Sequence, residues 1–194
     1  SIENEGDIIC ILGPSGIGKT TMLRTIAGLE KINKGEIILK DKVISSEKVH
    51  IEPEKRNIAL SFQENSLFPH YTVNRNIHLG EKKELIKKKN INANEIIKIL
   101  NLESVLNKYP HQISAGESQR ASLARSLISE PDLLLLDEPL SNVDQSFKED
   151  IQVELKQLLK KNKISTIVVT HDSYEAFYLG SKCALILDNE VKQF

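Results

Sequence analysis

Net charge is nearly absent from this sequence. Its 194 residues carry 26 Lys and Arg against 27 Asp and Glu, a formal charge of −1 at pH 7. That balance gives no electrostatic case for nucleic acid or for an anionic membrane surface as partner. The lysine clusters Lys82-Lys83 and Lys87-Lys88-Lys89 read as a solvated helix face. Cysteine occurs twice, at Cys10 and Cys183, each in an apolar strand-like run. They read as reduced core residues, and their spacing offers no metal motif. No apolar run approaches the ~18 residues of a membrane span, and no signal peptide is visible. The expected compartment is therefore the cytosol, with any membrane role coming through a partner. Internal repeats and low-complexity linkers are also lacking. With 40% hydrophobic and 27% charged residues, the chain reads as one soluble globular domain, or a domain with a subdomain.

What is present is organised around Gly13-Pro14-Ser15-Gly16-Ile17-Gly18-Lys19-Thr20-Thr21. An apolar run, Ile8-Ile9-Cys10-Ile11-Leu12, precedes it, and a helical pattern beginning Met22-Leu23-Arg24 follows. Strand, glycine loop and helix is the context in which G-x-x-x-x-G-K-[ST] binds phosphate. Glycines let backbone N–H groups converge on one anion, and the helix N-terminus adds partial positive charge. Lys19 is expected to reach the β- and γ-phosphates, the Thr20 hydroxyl to ligate Mg²⁺, and Thr21 to donate to the α-phosphate.

Only residues 1–7 precede the first strand. Farther along, Glu36-Ile37-Ile38-Leu39 and Val43-Ile44 look like two short strands of a hairpin around Lys40-Asp41-Lys42, residues 45–52 are polar and irregular, and a strand follows at 57–62. From 72 to about 129 apolar residues recur at helical spacing, including a stripe of Ile96, Ile97, Leu100 and Leu102 that reads as core. Pro110 interrupts this block, and a helix is expected over 116–127. Strands at 133–136, 166–169 and 184–187 then alternate with helices at 145–159 and 174–179. The alternation predicts an α/β fold, a parallel sheet covered on both faces. The block at 72–129 reads as an inserted helical subdomain.

Leu133-Leu134-Leu135-Leu136-Asp137-Glu138 supplies the second motif. Four leucines suit a strand buried on both faces, with two acids projecting from its C-terminal end into the crevice. Asp137 fits the role of holding Mg²⁺, and Glu138 that of positioning an attacking water.

The third motif, Ile113-Ser114-Ala115-Gly116-Glu117-Ser118-Gln119-Arg120, resembles the signature sequence of ATP-binding cassette ATPases. Other marks of that family stand around it in the expected order. Gln63 follows a strand, as the Q-loop glutamine does. Ser141-Asn142-Val143-Asp144 resembles the D-loop, and His171, after Thr166-Ile167-Val168-Val169-Thr170, resembles the switch histidine. The resemblance covers essentially the whole chain. It implies a P-loop NTPase core (RecA-like, residues 1–71 and 130–194) with a helical subdomain at about 72–129. An N-terminal antiparallel part is expected to be incomplete, because the family's adenine-stacking aromatic lies upstream of the phosphate loop. Relatives also continue beyond position 194, so the sequence reads as part of a longer protein.

The resemblance further implies ATP with Mg²⁺, held by Gly13, Pro14, Ser15, Gly16, Gly18, Lys19, Thr20 and Thr21, with Thr20, Gln63 and Asp137 toward the metal. Catalytic roles fall on Glu138, His171 and Gln63. Two copies would close head to tail, so that Ser114, Gly116, Glu117 and Asp144 meet the partner's nucleotide. Ser114-Ala115-Gly116-Glu117 also fits the capping-box pattern S-x-x-E, and capping and phosphate contact remain compatible readings of Ser114. Ala115 departs from the family's usual glycine, which matters if that position needs φ > 0 or very close approach. His50, His70, His78 and His111 have no such context.

Glu52-Pro53-Glu54-Lys55-Arg56, Phe62-Gln63-Glu64-Asn65 and Leu67-Phe68-Pro69-His70-Tyr71 look like bacterial importer ATPases serving ferric iron, polyamines, thiamine, molybdate or sugars. The polar stretch before Pro53 leans toward ferric iron, and Phe62-Gln63-Glu64-Asn65 toward thiamine. Permease subunits and, indirectly, a solute-binding protein would be partners, at the cytoplasmic face of the inner membrane. A soluble cassette ATPase without transport remains the alternative. In Leu67 and Phe68, burial in the domain's own core competes with service as a docking surface for a permease helix.

Overall fold

The computed structural model describes residues 2, 4–61, 67–81, 91–187 and 190–193. Its main sheet contains β1 (Ile8–Leu12), β4 (Ile58–Ser61), β5 (Leu133–Asp137), β6 (Ser165–Thr170), β7 (Lys182–Leu187) and β8 (Glu190–Gln193), in the order β4-β5-β6-β1-β7-β8. The first five strands in that order run parallel, and β8 pairs antiparallel with β7. The expectation of a parallel sheet therefore needs one correction at its edge. With two residues between β7 and β8, the chain can only return antiparallel, since a parallel partner needs a crossover of a dozen residues or more.

The leucine run shows how the sheet is covered. All of β5 is buried, and its side chains alternate between two cores. Leu133 and Leu135 join Ile11, Val169 and Ile186 under Leu23 and Ala27 of α1 (Lys19–Ala27). Leu134 and Leu136 join Ile8, Cys10 and Val168 on the opposite face. There they meet α4 (Ala115–Ile128), α5 (Gln145–Lys161) and α6 (Ser173–Leu179). Period-two alternation thus places one strand in both layers. Cys10 and Cys183 are register neighbours on β1 and β7. Burial, with Cys183 nearby, pushes the Cys10 thiol up to about 12, so it stays an inert core thiol.

Between 72 and 129 the expected helical block is more broken than its spacing suggests. It contains α2 (Val73–His78), α3 (Ala93–Ile99) and α4, with single 3₁₀ turns at Glu103–Val105 and Pro110–Gln112. Pro110 lies in the break between α3 and α4, at the start of its turn, where its missing N–H costs nothing. Ile96, Ile97, Leu100 and Leu102 are buried, in the same cluster as Leu134, Leu136 and Leu123. Apolar burial is therefore continuous from the sheet through α4 into this block.

The hairpin forms from β2 (Glu36–Leu39) and β3 (Lys42–Ser46), so the second strand extends past Val43-Ile44 into the stretch expected to be irregular. Lys40 and Asp41 both have positive φ, 48° and 61°, the backbone of a two-residue type I′ turn. Buried Arg56 ties this hairpin to the end of α1. Its guanidinium donates to the carbonyls of Thr25 (3.1 Å), Ile26 (2.9 Å), Ile51 (2.6 Å) and Ile44 (3.0 Å). A cation on the terminal carbonyls satisfies acceptors that the helix leaves orphaned. That contact fixes the direction of α1, whose other end is the phosphate loop.

Candidate functional site

Sheet topology brings the motifs together. β1 lies between β6 and β7, with β5 next to β6, so the loops after β1, β5 and β6 emerge side by side at the C-terminal edge. Such an edge is where parallel α/β sheets place their ligands.

The loop after β1 turns through two left-handed glycines, Gly16 (φ 82°) and Gly18 (φ 96°). A Cβ at either position would meet nothing within 4 Å; the loop borders open space on the ligand side. Gly18 is the N-cap of α1, and no side chain caps that first turn. Its amide N–H groups and the helix dipole are therefore directed at whatever occupies the space. Lys19, only 7% exposed, donates to the carbonyls of Gly13 (2.7 Å) and Pro14 (2.9 Å). Its ammonium thus lies along the loop. A cavity of about 280 Å³ opens here, lined by Ser15, Gly16, Gly18, Lys19, Thr20, Thr21, Asp137 and Glu138.

The Thr20 hydroxyl donates to Asp137 Oδ2 at 2.7 Å. Asp137 is 6% exposed. Burial raises its carboxyl above the ordinary aspartate range, with Glu138 adding to the rise and the Thr20 hydroxyl and Lys19 opposing it. Hydroxyl, carboxylate, ammonium and free helix amides together suit a polyphosphate carrying a hard divalent cation. Among the described residues no cluster of three or more His, Cys, Asp or Glu could hold a metal ion. A cation here would therefore complete its shell from phosphate oxygens and water, as Mg²⁺ usually does.

Glu138 occupies the left-handed region at φ 48°, uncommon for a residue with a side chain. Its N–H donates to the Val169 carbonyl on β6 (2.9 Å), and its Oε1 is 2.8 Å from His171 Nδ1. His171 follows β6 and is well exposed. Behind it, Asp172 caps α6 by accepting from the N–H groups of Tyr174 and Glu175 and pairs with Lys148 at 2.6 Å. Burial raises the Asp172 carboxyl, but the Lys148 ammonium and the cap bonds outweigh it and hold it below the ordinary range. The histidine is thus set on a fixed corner.

Ser114 caps α4 as its sequence suggests. Its hydroxyl accepts from the Glu117 N–H (3.1 Å) and Glu117 Oε2 accepts from the Ser114 N–H (2.7 Å). Ala115 is the first residue of the helix and is not among the residues with positive φ, so alanine incurs no backbone strain there. Gly116 is different: a Cβ would lie 2.4 Å from the Asn142 carbonyl. The 141–144 segment packs directly on the signature turn. Asp144, exposed, is the N-cap residue of α5 but makes no side-chain cap bond.

The structure therefore joins Lys19, Thr20, Asp137 and Glu138 around one cavity, with His171 against Glu138 but outside the lining. Ser114, Gly116, Glu117 and Asp144 stand outside its lining. Gln63 lies outside the described residues. One residue that the motif contained but to which no role was attached is Gln119. Its buried amide donates to the Glu138 carbonyl (2.7 Å) and the Ser141 hydroxyl (3.2 Å) and accepts from the Asn142 N–H (3.1 Å). No local signal marks it, because a helical glutamine looks the same at a surface and at a buried junction.

The ABC transporter family profile matches residues 3–141. The chain is 37% identical over 190 residues to a ferric-ion import ATP-binding protein of Fusobacterium nucleatum, covering 97% of this chain and 50% of that protein. It is 40% identical over 192 residues to a maltose/maltodextrin import ATP-binding protein of Mannheimia succiniciproducens, covering 98% and 50%. A spermidine/putrescine import ATP-binding protein of Thermotoga maritima is 40% identical over 191 residues, covering 97% and 51%. The chain thus spans about half the length of the curated relatives it matches. Among solved structures it is similar to the dimeric ATP-binding cassette MJ0796 in a post-hydrolysis state bound to ADP and Pi. There the TM-score is 0.80 at 29% identity, covering 99% of this chain and 88% of that one.

Proposed function

We propose that this chain, which belongs to the ABC transporter family, is the ATP-hydrolysing part of a solute importer. The observation that carries the reading is the meeting of Lys19, the Thr20–Asp137 pair and Glu138 on one cavity, with His171 bonded to Glu138. On this reading the amides of the phosphate loop and α1 bind the β-phosphate, and Lys19 leaves the Gly13 and Pro14 carbonyls to neutralise the β- and γ-phosphates. Thr20 and Asp137 hold Mg²⁺, which supplies charge neutralisation on the phosphate oxygens. Glu138 orients the attacking water and accepts its proton, and His171 steadies Glu138 and reaches for the γ-phosphate. Gln63 joins them as the family resemblance implies.

A second copy of the chain closes the site, with its Ser114, Gly116, Glu117 and Asp144 facing this nucleotide. The similarity to a dimeric cassette supports that arrangement. Residues 72–129 carry the signature as a subdomain, and the permease contact falls on Phe68 and its neighbours just before it. No helix among the described residues is long and apolar enough to cross a membrane; on this reading separate permease subunits form the path. The protein would sit against them at the cytoplasmic face, with a solute-binding protein beyond. Relatives named for iron, maltose and polyamine import are nearly equally similar. Ferric iron, favoured by the polar stretch before Pro53, is the solute we would test first.

Glu138→Gln tests the chemistry. It keeps shape and hydrogen bonding but removes the base, so MgATP should still bind while turnover falls by roughly 10²–10⁴-fold. Turnover at the unsubstituted rate, measured by phosphate release, would assign the water to another group.

A further inference from the structure

We infer that Gln119 is a positioning residue for Glu138, a proposal that rests on the ATPase reading above. Glu138 is held where a side-chain-bearing residue is seldom found, at φ 48°. Conformations of this kind persist only when the surroundings over-determine them. Bonds to both its N–H and its carbonyl do so, the carbonyl also accepting from the Ser141 N–H at 3.2 Å. The Val169 carbonyl takes the Glu138 N–H at 2.9 Å, and Gln119 Nε2 donates to the Glu138 carbonyl at 2.7 Å. The first bond comes from the neighbouring strand. The second comes from α4, nineteen residues away in sequence.

The Gln119 amide has one workable orientation. Its NH₂ faces two acceptors, the Glu138 carbonyl and the Ser141 hydroxyl, while its oxygen faces one donor, the Asn142 N–H. A flipped amide would set oxygen against carbonyl and NH₂ against N–H. Gln119 is 5% exposed, so water cannot readily replace what it supplies. Close packing of Gly116 under the Asn142 carbonyl seals the same junction. Catalytic loop, 141–144 segment and α4 are thereby one unit. The carboxylate of Glu138 points where it does because its backbone is clamped from α4.

Two substitutions in the full-length protein separate this role from simple helix packing. Gln119→Met keeps the volume and removes every bond; Gln119→Glu keeps the acceptor for Asn142 but turns an acceptor toward the Glu138 carbonyl. Both are expected to lower kcat by roughly ten- to a hundredfold, the scale of a misplacement of about 1 Å. For Gln119→Met, MgATP affinity by titration calorimetry should stay within about twofold, while the melting temperature falls by several degrees for the buried groups left unpaired. Nucleotide extracted from that variant should be mostly uncleaved ATP. A kcat at the unsubstituted level in both variants would overturn the proposal. So would a loss in Gln119→Met matched by an equal weakening of MgATP binding, the mark of a purely structural residue. If the unsubstituted protein binds MgATP but never cleaves it, the ATPase reading falls, and this inference with it.

Discussion

At the scale of single residues, the signature turn carries a titratable device distinct from its proposed phosphate contact. The Ser114 N–H, donating to the Glu117 carboxylate, holds that carboxyl below the ordinary glutamate range against a smaller opposing effect of burial. Its folded pKa being depressed, the native state binds fewer protons than the unfolded chain. The resulting stabilisation is present above the ordinary glutamate value and is lost as pH falls through the folded one. Glu117→Ala should therefore melt lower at pH 7, by about 2–4 °C for a cap worth about 1 kcal/mol. Near pH 3 the gap should narrow. A difference that is unchanged by acidification, in paired thermal melts, would mean the carboxylate does not stabilise the turn through its charge.

At the scale of elements, the segment leading into α2 divides two neighbouring side chains between different tasks. Leu67 is buried at 8% exposure, whereas Phe68 is 47% exposed, so the core reading holds for Leu67 and not for Phe68. Asn76, fully buried, keeps the turn rigid: its Oδ1 accepts from the Phe68 N–H, and its NH₂ donates to the carbonyls of Phe68, Tyr71 and Thr72. Phe68 stands out among Tyr71 and His70, both 6.0 Å away between ring centres, with the Arg125 guanidinium 5.8 Å from its ring. A rigid, half-exposed aromatic is the kind of anchor that a helix-in-groove contact uses. Phe68→Ala should cost about 1 kcal/mol or less of stability, since only part of the ring is buried. MgATP affinity should hold while assembly with the permease weakens. If assembly in detergent is unaffected, the docking surface lies elsewhere.

At the scale of the whole molecule, Ser114, Gly116 and Glu117 do not line the cavity that Lys19 and Glu138 share. If a second copy supplies them, activity must depend on concentration. Specific activity of the purified protein should rise with protein concentration and then level off. Mixing Lys19→Ala with Ser114→Arg chains should restore turnover that neither has alone, because each heterodimer retains one site with both motifs intact. A flat specific activity across a wide range, with no recovery on mixing, would describe a self-contained monomer.

How much of this was legible in the sequence depended on how local the physics is. The phosphate loop, the leucine strand with its two acids and the Ser114–Glu117 box are set by backbone needs within a few residues: glycine for φ > 0, apolar side chains for a strand buried on both faces, a hydroxyl and a carboxylate three apart for a cap. Reading them in order was enough to anticipate the α/β core. The antiparallel β8 and the broken course of 72–129 were less visible, because tertiary burial overrides spacing when segments are short. Which groups touch was decided only by the tertiary structure. Thr20 meets Asp137 across 117 positions, His171 meets Glu138 across 33, and Gln119 reaches the Glu138 carbonyl across 19. The order β5-β6-β1 places their loops together, and strand order is a property of the whole sheet. The left-handed backbone of Glu138 is likewise invisible in its residue type. Bonds from α4, from β6 and from the Ser141 N–H meet on that backbone.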